Sequence, residues 1–266
     1  MLERGVDGVM PFGTMGEGPS FPVVERMAGL EGLRAAGIPA HRLLAATGCA
    51  ALTDTLALTR HALASGVGRC LVLPPFFWKG LPDDALFRYY ADVIEGVGDD
   101  RLRVYLYHIP QVSGVAIGAE VLARLAAAYP VQVAGLKDSG GDYAQTARFL
   151  AAAPGLSILV GHEPDLPRLM REGGAGSIGG IANLWPEAVA ALLKPGVGAG
   201  DQKRIRDFLE IVSSHPFLPA CKALLAAQTG DPGWLAPRPP LYPLSEPGRR
   251  GLLSELGAAG CGFPPP

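Results

Sequence analysis

Short apolar runs alternate with longer amphipathic stretches from residue 6 to about residue 194, and this rhythm sets the fold class. The runs are Val6–Phe12, Leu43–Thr47, Cys70–Pro74, Leu102–Tyr107, Val131–Lys137, Ile158–Gly161 and Gly176–Ile181. Each is nearly continuous in apolar residues, as expected of a strand covered on both faces. The segments between them are too long for hairpins and carry helical periodicity. Ser20 to Ala36 brings Val24, Met27 and Leu30 onto one face behind a possible Ser20 cap, and Pro82 to Val97 places Asp83 and Asp84 in its first turn. Strands joined by helical crossovers make a parallel sheet.

Seven such units, with no G-x-G-x-x-G after the first run, favour a TIM (β/α)8 barrel over a doubly wound sheet. One unit is short of the full set. The opening Leu2-Glu3-Arg4-Gly5 reads as the last turn of a helix with a glycine stop, so the first strand and most of the first helix are expected to precede Met1. Beyond residue 195 the pattern is helical, at Gly200 to Ser213 and Pro219 to Gln228, before a Pro-rich tail. The expected division is a barrel over 1–194, extra C-terminal helices over 195–256 and a flexible tail over 257–266.

Composition narrows the class of partner. The 266 residues are 48% hydrophobic and 18% charged, with a net charge of −2 and no basic stripe. Nucleic acid and anionic membrane are therefore not expected partners, and small-molecule chemistry is. No apolar run reaches the length of a membrane span. Cys49, Cys70, Cys221 and Cys261 lie far apart without C-x-x-C spacing, which argues against a disulfide framework or a structural metal and fits a reducing cytoplasm.

In a barrel the chemistry comes from the C-terminal ends of the strands. One strand ends in Gly135-Leu136-Lys137-Asp138, a lone cation closing an apolar run before a Gly-rich loop. Burial penalises the charged form of an amine, which makes such a lysine a candidate nucleophile. The alternative is a strand-terminal lysine that snorkels to water. Another strand ends in Tyr105-Leu106-Tyr107-His108-Ile109-Pro110. Tyr105 and Tyr107 share a face, and Tyr107, nearer the loop, is the better placed for proton transfer. The first run leads into Gly13-Thr14-Met15-Gly16-Glu17-Gly18, a turn whose backbone N–H groups can hold a carboxylate. Gly174-Ala175-Gly176-Ser177-Ile178-Gly179 matches a dinucleotide motif but follows a helix and enters a strand, the reverse of that context.

Together, Gly13-Thr14-Met15-Gly16-Glu17, Tyr107-x-x-Pro110-x-x-x-Gly114, Gly135-Leu136-Lys137-Asp138, the Gly161 turn, Gly176-Ser177-Ile178 leading to Ala182-Asn183, and Arg238-Pro239-Pro240-Leu241 resemble one family over nearly the whole chain. That family is the pyruvate-dependent class I aldolases and lyases that include dihydrodipicolinate synthase and N-acetylneuraminate lyase. The resemblance implies a covalent imine between Lys137 and a 2-oxo acid, with no other cofactor and no metal. It implies proton transfer by Tyr107, carboxylate binding by Thr14 and Met15, and substrate contacts at Gly161 and Ile178. It further implies a homodimer or homotetramer.

Two departures bear on the second substrate. Where dihydrodipicolinate synthases carry a second tyrosine this chain has Phe77, and where they carry an arginine beyond the Tyr-x-x-Pro proline it has Val112. Without a relay hydroxyl and a bidentate carboxylate clamp, aspartate semialdehyde is a poor fit. The expected reaction joins or splits pyruvate and an uncharged aldehyde, as for a 2-keto-3-deoxy sugar acid. Alternatives are a dehydratase working through the same imine, or a non-catalytic relative that binds a 2-oxo acid.

Overall fold

Six strands form one parallel sheet whose spatial order follows the chain. They are β1 (Ala45–Ala46), β2 (Arg69–Val72), β3 (Arg103–His108), β4 (Val133–Asp138), β5 (Ser157–Val160) and β6 (Gly176–Ser177). This is a computed structural model, and it describes residues 1–194 and 196–261. Helix α1 (Val23–Ala35) precedes β1, helices α2 (Leu52–Ala64), α3 (Asp83–Val97), α4 (Pro110–Ser113), α5 (Ala119–Ala128), α6 (Tyr143–Ala152) and α7 (Leu166–Arg171) lie between the strands, and α8 (Pro186–Ala191), α9 (Ala199–Ser213), α10 (Phe217–Thr229) and α11 (Glu246–Ala258) follow. None of the described helices is long and apolar enough to cross a membrane.

The chain divides into two compact units, Asp7–Ile178 and a second made of Met1–Val6 with the residues from Gly179 onward. The first holds the sheet and α1 to α7. Helix α3 shows how its helices form: Leu86, Tyr90, Ala91, Val93 and Ile94 bury one face, and Gly98 closes the helix in the left-handed region with its N–H on the Ile94 carbonyl. In the second unit α9 buries Ile205, Phe208 and Val212, and Arg4 makes a two-pronged ion pair with Glu187.

Several expectations need correction. The run Val6–Phe12 is not a strand but a single parallel bridge, Val9 to Leu43, with the Val9 N–H on the Arg42 carbonyl at 2.9 Å. Pro11 has no N–H to give, and Phe12 turns out of extended geometry at φ 60°. The run at Gly176 stops at Ser177, because Gly179 and Gly180 lead into a 3-10 turn at Ile181–Asn183. Ser20 does not cap α1; it belongs to a 3-10 turn, and the extended residue before the helix is Pro22. Helix α11 lies mostly inside the region 195–256 expected to be helical, beyond the two helices that the sequence pattern marks there. It runs through residue 258 of the segment expected to be a flexible tail, and residues 262–266 of that segment lie outside the described residues.

Candidate active site

Strands β3 and β4 set the geometry of the site through one irregularity. Val104 pairs with Val133 and Tyr105 with Gly135, so Ala134 is an extra residue that shifts the register by one. From there Tyr107 lies opposite Lys137 and His108 opposite Asp138. The Lys137 Nζ donates to the Tyr107 hydroxyl at 3.1 Å and sits 4.2 Å from the centre of that ring. The Thr14 and Tyr107 hydroxyls are hydrogen-bonded at 3.0 Å. Lys137 is 5% exposed and Tyr107 3%, and among the described residues no carboxylate lies within ion-pairing distance of the amine.

A buried amine bonded to a phenol that is bonded in turn to a threonine hydroxyl forms a path along which a proton can move. Tyr107 packs with Leu71 and Ile109, and Met10, Leu44, Leu73 and Tyr105 complete this cluster. Gly135, two residues before Lys137, makes room for the ring of Tyr105. A Cβ there would stand 2.9 Å from the ring and 2.1 Å from the Ser157 carbonyl oxygen.

The turn from Gly13 to Gly18 is held from within. Gly18 N–H reaches the Gly13 carbonyl at 3.1 Å and Glu17 N–H reaches Thr14 at 3.2 Å. Phe12 just before it, at φ 60°, and Glu17 within it, at φ 55°, lie in the left-handed region, which costs a non-glycine residue about 1–3 kcal/mol. Among the described residues the N–H groups of Thr14 and Met15 meet no protein acceptor, so both remain available to an anion. A cavity of about 20 Å³ beside the turn is lined by Gly13, Thr14, Arg26, Leu71, Leu73 and Tyr107, among others.

The other expected residues sit on adjacent strand ends. Gly161 donates to the Asp138 carbonyl at 2.6 Å, and a Cβ on it would collide with the Ser139 hydroxyl. Ile178 donates to the Val160 carbonyl at 2.9 Å. Gly174, the first glycine of the false dinucleotide motif, is a packing glycine whose missing Cβ would fall 2.2 Å from Leu169. Phe77 and Val112 are exposed, and Phe77 packs edge-on to Trp78. The Lys79 ammonium is bound to the carbonyls of Phe76 and Ser113 and so ties the loop after β2 to α4.

Sequence reasoning missed a buried polar layer behind the site. His108 Nδ1 accepts the Ile117 N–H at 3.0 Å, while Asp138 accepts from Gly140 N–H at 2.8 Å and the Thr146 hydroxyl at 2.7 Å. Burial pushes His108 below the ordinary histidine range, against the opposing pull of Asp138. The available signal was a histidine and an aspartate each one residue past a candidate catalytic group. His162, one residue past Gly161, is instead pushed up by its hydrogen bond to Asp165. No group of three or more His, Cys, Asp or Glu among the described residues is arranged to hold a metal ion.

Comparison with known proteins adds an independent line. The sequence profile of the dihydrodipicolinate synthetase family matches residues 1–259. A DapA-like lyase of Chloroflexus aurantiacus is 38% identical over 253 residues, covering 92% of this chain and 82% of that protein. The 4-hydroxy-tetrahydrodipicolinate synthase 1 of Streptomyces coelicolor is 30% identical over 266 residues, covering 97% and 84%. Among solved structures, dihydrodipicolinate synthase of Agrobacterium tumefaciens superposes with a TM-score of 0.90 at 35% identity, covering 97% of this chain and 88% of that one. A variant of the 2-keto-3-deoxygluconate aldolase of Sulfolobus solfataricus shares the fold, with a TM-score of 0.86 at 19% identity over 98% of this chain and 87% of that one.

Proposed function

The chain belongs to the dihydrodipicolinate synthetase family, and from that premise we propose that it is a Schiff-base aldolase joining or splitting pyruvate and an uncharged aldehyde of the sugar-acid type. The observation that carries this reading is the hydrogen-bonded chain from the buried Lys137 through the buried Tyr107 to the half-buried Thr14. The neutral Lys137 amine adds to the keto carbon of pyruvate, and loss of water leaves a protonated imine. The imine draws electrons from C3, so loss of a C3 proton gives an enamine, with Tyr107 the nearest group to relay protons. The enamine carbon attacks the aldehyde carbon, and Tyr107 returns a proton to the new alkoxide. Water then releases the product and restores the amine. Thr14 and Met15 N–H groups hold the pyruvate carboxylate, with Gly161 and Ile178 bordering the substrate.

The aldehyde half is read from the segments that follow β2 and β3. Phe77 and Val112 offer neither a hydroxyl nor a cation, and the ammonium of Lys79 is occupied by two carbonyls. An uncharged acceptor suits those loops better than one bearing an ammonium and a carboxylate. In this reading the enzyme is a cytoplasmic homodimer or homotetramer.

The test is borohydride reduction in the presence of pyruvate, followed by peptide mapping. A pyruvate-derived mass increment on the peptide holding Lys137, absent from Lys137→Ala, is expected. Folded protein that gives no adduct at Lys137 overturns the proposal. Incubation of pyruvate with a panel of aldehydes then separates new C–C products from dehydration of an added 2-keto-3-deoxy acid.

A further inference from the structure

Helix α1 carries a cation on its buried face. Arg26 is 5% exposed. One terminal nitrogen of its guanidinium donates to the Ala46 carbonyl at 2.5 Å, and the other to the Gly48 carbonyl at 3.5 Å and the Cys49 sulfur at 3.0 Å. These acceptors form the end of β1 and the turn after it. The remaining donor, Nε–H, is buried and meets no protein acceptor. On α2, His61 has the complementary shortage: its Nε2 lies 2.8 Å from Glu31 of α1, while its Nδ1 is buried and unpartnered.

The two unpartnered nitrogens belong to residues that border one space. A cavity of about 10 Å³ is lined by both Arg26 and His61, with Phe12, Leu30, Thr47 and Leu58 among its other walls. That volume is close to the smallest that holds one water molecule, which needs at least two polar partners. One partner here can only donate, and the other can accept. A dry cavity would leave both polar atoms buried without a hydrogen bond, which folded proteins seldom tolerate.

We propose that a single water molecule is bound between Arg26 and His61 as an integral part of the fold, accepting from Arg26 Nε–H and donating to His61 Nδ1. His61 then carries its proton on Nε2 and donates it to Glu31. The result is a continuous hydrogen-bonded path from Glu31 through His61, the water and Arg26 to the carbonyls at the end of β1. Arg26 also lines the second cavity, beside Thr14 and Tyr107. The water thereby fixes a guanidinium in the wall of the candidate site. This inference goes beyond the proposed reaction and stands without it.

Two measurements on the full chain test it, neither of them activity. A high-resolution crystal structure of the wild type is expected to show density within hydrogen-bonding distance of both Arg26 Nε and His61 Nδ1; ordered side chains with no density between them overturn the proposal. In a double-mutant cycle, Arg26→Met and His61→Leu are each expected to lower the melting temperature. The double variant is expected to fall by clearly less than the sum, because both substitutions remove the same bridge. Additive falls refute the bridge.

Discussion

At the scale of single residues, the proposed reaction separates covalent chemistry from proton movement. It takes its nucleophile from Lys137, and the Tyr107 hydroxyl stands between that amine and Thr14. Tyr107→Phe is therefore expected to keep the pyruvate adduct at Lys137 while turnover drops by about 10²–10⁴-fold, the range of general acid–base effects. Borohydride trapping and kcat on the same preparation check this, and unchanged turnover would remove Tyr107 from the mechanism. His108 carries a different prediction. Burial holds its folded-state pKa below the ordinary 6.5, so over that interval the unfolded chain binds more protons than the folded one. Stability should thus fall as pH drops below 6.5 and level off once the folded form also protonates. His108→Asn keeps an acceptor for the Ile117 N–H but does not titrate. Urea unfolding between about pH 7.5 and 5 is expected to show a shallower acid loss in the variant; parallel curves would contradict this account.

At the scale of elements, β4 illustrates why a short strand can be intolerant. It is buried along its length apart from Ala134, and Gly135 sits against the Ser157 carbonyl and the Tyr105 ring. Backbone cannot swing aside as a flexible side chain can. Gly135→Ala is expected to cost about 1–3 kcal/mol, the usual range for overpacking, read as a lower urea midpoint at unchanged slope. Wild-type stability would show that β4 moves freely. The same contrast explains which elements were legible from sequence. Helix α3 announces itself by a regular apolar face, whereas α11 carries Pro247, Gly248, Gly251 and Gly257, which hide its pattern. It forms because Ser245 accepts the Gly248 N–H and because Leu252 and Leu256 find a core to enter. The run at Val6 failed in the opposite sense: its apolar residues signal burial, but Pro11 and the positive φ of Phe12 leave room for only one bridge.

For the whole molecule, family membership and a superposition over 97% of the chain agree with the class read from the strand rhythm. The proposed homo-oligomer predicts sedimentation well above the 27.7 kDa of one chain. A monomer at micromolar concentration would refute that part of the reading. The amino-acid sequence by itself determined the parallel sheet, through apolar runs too far apart for hairpins, and it determined which side chains stand near the ends of β3 and β4, since Tyr107 and Lys137 are readable at those positions, with Thr14 in the turn after a run that forms only one bridge. Only the tertiary structure decided that they meet. The extra residue Ala134 in β4 moves the register by one, and that shift is what sets Lys137 beside Tyr107. Register depends on the partner strand, so no local pattern encodes it. The same holds for Arg26 and His61, two unremarkable helix residues until α1 and α2 bring them to a single cavity.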